Sequence, residues 1–263
     1  MATGSKIPRY DFHIHAKYCA CGGCSMEVAE IARHAAAAGT TALAITDHVN
    51  NVTMLEKHRP VPDDIRAAGS DLEIFFGVEV NFLDPAQPLP FTQELKEQYG
   101  VQFAIGGPHH HYLEERDIPR IIDAVHRMHL IICENPLIDV LVHPYWFGYG
   151  SFAPKGWAMF DVNDFKTVPA SYARELGQAA AATGTAIEIN ASACFLAMGG
   201  DDWRAAYMDY LAIIAEQGAT FSTGSDSHGY DGLKQIEWSW NAAEKLGLDE
   251  SRIFRPKCRP LNR

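Results

Sequence analysis

Glu73-Ile74-Phe75-Phe76-Gly77-Val78-Glu79-Val80 is a short apolar run of strand-forming residues with one acid, Glu79, embedded near its far end. A charge inside such a run is expensive to bury without a partner, and a cation is the simplest partner. The plainer alternative is a glutamate on an exposed rim. Six further runs of the same kind lie at residues 10–14, 42–45, 101–105, 140–142, 186–189 and 220–223. Segments with helical spacing separate most of them. Val28, Ile31, Ala32 and Ala35 fall at i, i+3, i+4 and i+7 after the candidate cap Ser25, and the pattern stops at Gly39. Met208, Leu211, Ala212 and Ala215 repeat the spacing before Gly218, while Gly184 and Gly247 stand where two more helices should end. Seven strands alternating with helices predict a parallel α/β architecture. The periodicity leaves open whether the sheet closes on itself.

The chain of 263 residues, 47% hydrophobic and 21% charged, has an ordinary globular composition, which excludes a disordered or fibrous protein. No repeat or Pro/Gly/Ser-rich linker divides it, so one domain over residues 1–263 is expected. No apolar stretch is long enough for a bilayer, and residues 1–11 lack an apolar signal core, so a cytoplasmic protein is the default. A formal charge of -11 repels a nucleic-acid backbone and disfavours a polynucleotide partner. The oligomeric state is not readable.

The strand ends carry the chemistry. The first run leads into Asp11, His13 and His15, and the second into Asp47 and His48. The third holds Glu79. The fourth precedes His109, His110 and His111, the fifth His143, the sixth contains Glu188 and leads to Asn190, and the seventh reaches Asp226 and His228. Active sites of closed α/β barrels are assembled at this C-terminal edge. His13-Ile14-His15 places two imidazoles on one face with Ile14 turned into packing, and Asp226-Ser227-His228 repeats the geometry. One such pair alone is a weak signal. Several, from separate strands and mixed with carboxylates, predict a cluster of divalent ions such as Zn, Mn or Fe.

Alternation lets His109 and His111 share a face, of which one ligand is expected. Glu188 reads equally as a metal ligand or as a contact to a ligand or to substrate. His34, His126 and His129 fall on predicted helices away from the rim and read as surface histidines; His58 stays open. Cys19, Cys21 and Cys24 crowd behind the first strand, too close together for a long-loop disulfide framework, and read as reduced thiols or metal ligands. Cys133, Cys194 and Cys258 read as buried or tail cysteines.

Taken in order, Asp11-Phe12-His13-Ile14-His15, Thr46-Asp47-His48, Gly77-Val78-Glu79, Gly107-Pro108-His109, His143-Pro144 and Ser225-Asp226-Ser227-His228 resemble the PHP domain family in its stand-alone phosphoesterase form. The resemblance spans nearly the whole chain. It implies a distorted (β/α)7 TIM-like barrel with a site for two to three divalent metal ions at the C-terminal rim. His13, His15, Glu79 and Asp226 would hold one ion, with Glu79 bridging to a second held by His109 and His143. His48 and His228 would hold the third. The family commonly supplies the last ligand of that third ion from a histidine six residues after the second His of the HxH pair, and here that position is Cys21. A thiolate can replace imidazole on zinc.

The activity so implied is hydrolysis of a small phosphate ester, by attack of a metal-bound hydroxide on phosphorus. Glu79, Asp226 and His228 are the candidate catalytic residues, with Asp226, His228 or a bound water protonating the leaving group. Bound cations would also reverse the acidic field where the anion must sit. Lys17 or Arg59 could touch phosphate, although both also read as solvated loop residues. Three other classes compete. A nuclease needs a basic, aromatic groove that the sequence does not show. An amidohydrolase bridges its metals through a modified lysine, against which Glu79 argues. A non-catalytic metal-binding module predicts missing ligands.

Overall fold

The structure, a computed structural model, describes residues 7–19, 24–82, 91–109, 117–145, 165–192 and 200–263. In chain order its elements are β1 (Tyr10–Asp11), α1 (Val28–Ala37), β2 (Ala42–Ile45), β3 (His48–Val49), α2 (Val52–Lys57), α3 (Val61–Ala67), β4 (Glu73–Asn81), α4 (Gln93–Gln98), β5 (Phe103–Gly107), α5 (Ile118–Glu134), β6 (Val140–Leu141), α6 (Ala170–Thr183), β7 (Ala186–Asn190), α7 (Gly200–Glu216), β8 (Phe221–Gly224) and α8 (Ile236–Lys245). All pairings are parallel, in the spatial order β1-β2-β4-β5-β6-β7-β8, and the two-residue β3 adds to β4. The seven strands expected from the sequence are the seven of that path.

The two ends of the path meet. Phe12 N–H donates to Thr223 O at 3.0 Å, Asp226 N–H to His13 O at 2.8 Å and His15 N–H to Ser227 O at 3.0 Å, and Ile14 bridges Ser227. The sheet is thus a distorted (β/α)7 barrel. Its distortion sits in β1, whose ladder stops at Asp11. Phe12 then packs with the barrel interior while Ile14 packs with the outer core, although strict alternation would put both on one side. His13 and His15, two residues apart, both face the rim.

Two apolar layers hold the barrel. Phe12, Ala42, Ala44, Phe75, Phe103, Ile105, Val140, Val142 and Ala186 fill its interior, and a larger cluster lies between sheet and helices. Along β4 the inward positions are Phe75, Gly77 and Glu79. A Cβ on Gly77 would lie 2.8 Å from the Phe103 ring, so glycine is what lets that ring fill the centre.

Two expectations change. The first helix starts at Val28 with Glu27, not Ser25, at the cap position, because Lys17 N–H donates to Met26 O at 2.9 Å and keeps that segment extended. His126 and His129 are not surface residues: both are buried, because α5 is covered by α6 and by Tyr145. No helix among the described residues is long and apolar enough to cross a membrane.

Candidate metal centre

Seven of the eight strands contribute to one largely buried polar cluster at the C-terminal rim. His13 and His15 come from the irregular segment after β1, His48 from β3, Glu79 from β4, His109 from just beyond β5 and His143 from just beyond β6. Glu188 and Asn190 close β7, and Asp226 and His228 follow β8. Of the metal ligands expected from the sequence, His13, His15, His48, Glu79, His109, His143, Asp226 and His228 lie together here, while Cys21 and the alternatives His110 and His111 lie outside the described residues. Three backbone positions in or beside it are left-handed: His143 (φ 30°), Tyr145 (φ 57°) and Asp226 (φ 52°). Such conformations cost about 1–3 kcal/mol each and persist only where the surroundings impose them.

Glu79 is the hub. It is fully buried, and its two oxygens face different partners. Oε1 lies 2.9 Å from His143 Nε2 and 3.1 Å from His109 Nε2. Oε2 lies 2.7 Å from His48 Nδ1, 3.3 Å from His13 Nε2 and 3.5 Å from His15 Nε2. Asp226 Oδ1 faces His15 Nε2 at 3.3 Å and His13 Nε2 at 3.6 Å. The Nε2 atoms of His13 and His15 are themselves only 3.2 Å apart, so their lone pairs converge.

Neighbours fix the ring orientations. Glu188 Oε1 accepts from His13 Nδ1 at 2.7 Å, which leaves His13 Nε2 to the cluster, and its Oε2 accepts the His143 backbone N–H at 2.8 Å. Asn190 Nδ2 donates to Glu188 at 3.0 Å and to Asp226 Oδ2 at 3.3 Å. Asn81 does for His109 what Glu188 does for His13: its Oδ1 accepts from His109 Nδ1 at 3.1 Å. A Cβ at Gly224 would come within 2.7 Å of His13 Cβ and overlap Glu188 Oε1, so only glycine admits that contact.

Burial pushes the Glu79 carboxyl up, but charge on His48, His109 and His13 outweighs it and holds the group well below the usual carboxylate range. Asp226 is held low in the same way, by His13 and His15 against burial. Burial drives His109 down to about 4. Among the described residues the ion-pair partners of Glu79 and Asp226 are all histidines. Two low-lying carboxylates faced by converging imidazole nitrogens form a donor set suited to divalent cations.

Three groups have ligand atoms within 4.8 Å of one another: His13, His15 and Glu79; His48, Glu79 and His109; and His15, Cys19, His48 and His228. Of the three clustered cysteines that read as thiols or metal ligands, Cys19 is, among the described residues, the one in a group of candidate ligands. The structure brings its Sγ to 3.6 Å from His15 Nδ1, through a turn closed by Cys19 N–H to Ala16 O at 3.0 Å. The cue in the sequence is the short interval after His15. The two cations considered for phosphate are both committed elsewhere. Lys17 Nζ lies 2.5 Å from Glu27 and 3.1 Å from Asp64, and Arg59 Nε 2.5 Å from Glu56.

A family model described as the PHP domain matches residues 11–192. A curated protein from Syntrophotalea carbinolica named "Probable phosphatase" is 27% identical over 261 residues, covering 95% of this chain and 93% of its own. Among solved structures, the histidinol phosphate phosphatase of Lactococcus lactis, complexed with zinc, L-histidinol and phosphate, superposes with a TM-score of 0.65 at 16% identity, covering 93% of this chain and 95% of that one. The putative histidinol phosphatase of Listeria monocytogenes gives a TM-score of 0.61 at 16% identity over 85% of this chain and 97% of its own.

Proposed function

The chain belongs to the PHP domain family, and from that premise we propose that residues 1–263 are a single metal-dependent phosphatase domain acting on a small phosphorylated substrate. The observation that carries this reading is the division of the Glu79 carboxylate, with Oε1 toward His109 and His143 and Oε2 toward His13 and His15. A carboxylate so placed could serve two ions. His13, His15, Glu79 and Asp226 would hold the first, and Glu79, His109 and His143 the second. His48, His228 and a cysteine would hold the third, where Cys19 joins Cys21 as the candidate thiolate. The zinc, histidinol and phosphate of the Lactococcus structure, and the name of the Syntrophotalea relative, support the same chemistry.

Divalent ions bound there supply Lewis acidity, neutralising phosphoryl oxygens and lowering the pKa of water toward about 7. The chain's own residues set the geometry. Glu188 keeps His13 Nε2 turned inward, Asn81 does so for His109, and Asn190 ties Glu188 to Asp226. His228, with its side chain 40% exposed, is the member most open to solvent, ahead of His109 at 21% and of His48 and Asp226 at 14% each. Asp226, His228 or a bound water would protonate the leaving alkoxide.

The test is metal analysis of protein purified without chelator, followed by a panel of phosphomonoesters and phosphodiesters. Two to three equivalents of Zn, Mn or Fe, and monoester hydrolysis abolished by chelation and restored by metal, are expected. Less than half an equivalent after reconstitution removes the metal centre. Turnover confined to diesters replaces the phosphatase with a phosphodiesterase.

A further inference from the structure

His143 is followed by Pro144 and Tyr145, and both flanking residues hold left-handed backbone. Neither is a glycine, so something must impose the turn. Tyr145 is buried, and its hydroxyl lies 2.9 Å from His126 Nδ1, the other side of whose ring, Nε2, lies 3.0 Å from Glu175 Oε2. A carboxylate cannot donate, so Nε2 carries the proton given to Glu175, and Nδ1 is the atom left to pair with the Tyr145 hydroxyl. The ring itself is clamped. Tyr172 stacks on it at 4.1 Å with planes 7° apart, and Tyr172 donates in turn to Asp123 at 3.0 Å. His129 meets the Tyr145 ring edge to face at 4.5 Å.

We propose that Glu175, His126 and Tyr145 form a positioning chain for His143, running from the surface of α6 through α5 to the strained turn and fixing the angle at which His143 presents Nε2 to the metal centre. The inference rests on the reading of His143 as a ligand. Among the described residues the turn is held by hydrogen bonds from two sides: Glu188 holds the His143 backbone from the barrel interior, and the Tyr145 hydroxyl holds it from the helix layer. His126 touches neither metal nor substrate and acts only through Tyr145.

Zinc affinity measured by competition with a chromophoric chelator, on whole protein of confirmed fold, tests this. Tyr145→Phe removes one hydroxyl, and His126→Gln leaves a donor toward Glu175 but no acceptor for Tyr145. Each is expected to weaken one bound ion about tenfold, the low end of what outer contacts to a ligand are worth. His126→Asn puts an amide oxygen where Nδ1 stood but gives up the contact to Glu175, and should lose about threefold, as Glu175→Ala does, rather than tenfold. A merely structural role would not separate Asn from Gln. Wild-type affinity in Tyr145→Phe and His126→Gln, or equal losses in His126→Asn and His126→Gln, overturns the proposal. If Tyr145→Phe does not fold, Glu175→Ala on the exposed face decides. A loss of about threefold is expected there, and wild-type affinity rejects the chain. Wild-type protein that binds no zinc rejects the metal reading itself, which is a different outcome.

Discussion

The two ends of the barrel interior are built by the same strands and are chemical opposites. On β4 they are four residues apart: Phe75 points into an apolar floor, and Glu79 into the rim. At the floor Phe12 meets Phe75, Phe103 and Phe254 edge to face, with centroids 5.8, 6.2 and 6.0 Å apart, an arrangement in which burial and ring geometry both stabilise. At the rim five imidazoles surround one fully buried carboxylate, and the nearby backbone is left-handed at three positions. Burial there costs free energy unless a cation offsets it. Stability and chemistry are thus separated along the strand axis, so a substitution at one end should leave the other largely alone.

The largest effect is expected at the floor. Phe75→Ala should lower unfolding free energy by about 3–5 kcal/mol, read from the denaturant midpoint, while the metal bound per folded molecule stays at the wild-type value. Loss of metal in the folded fraction would break the separation. At the rim, Glu79→Gln should reduce phosphatase turnover at least about a hundredfold, or about 2.7 kcal/mol of barrier, with a far smaller change in the midpoint than Phe75→Ala. Glu188→Gln should cost only about tenfold in kcat/KM, because it orients His13 and His143 without spacing the ions. Equal losses for the two variants would mean that Glu79 is not the bridge. The smallest effect belongs to the outermost ion. Cys19→Ser should lose one equivalent of zinc and reduce turnover about threefold, and Cys21→Ser made in parallel assigns the thiolate. Metal content unchanged in both leaves that ion to His48 and His228.

The sequence shows the barrel strands because each is a short apolar run set off by glycines or polar residues, and it shows the rim because histidines and acids gather just where those runs end. Other features have no local signature. β3 has two residues, too few for any period. The break after Asp11 and the closure of Ile14 on Ser227 are properties of distant pairing, invisible to a window. Cys19 joins His15 only through the turn between them. His126 and His129 look like the polar side of an amphipathic helix, and they are buried because α5 is covered on that side too. Asn81 and Gly224 matter for what they touch, which composition cannot show.

The seam that closes the barrel also sets a timetable. Asp11 Oδ1 accepts the Ser225 backbone N–H across 214 residues of chain, and at synthesis rates of about 5–20 residues per second the second partner follows the first from the ribosome by roughly 10–40 s. For that interval β1 has no β8 to pair with, the nascent sheet carries two open edges, and His13 and His15 wait without Asp226. Open edges are templates for pairing with other chains, so a chaperone that shields the growing sheet would act in this window. Under the proposed function, the complete centre could take up its ions only after the last strand has been delivered.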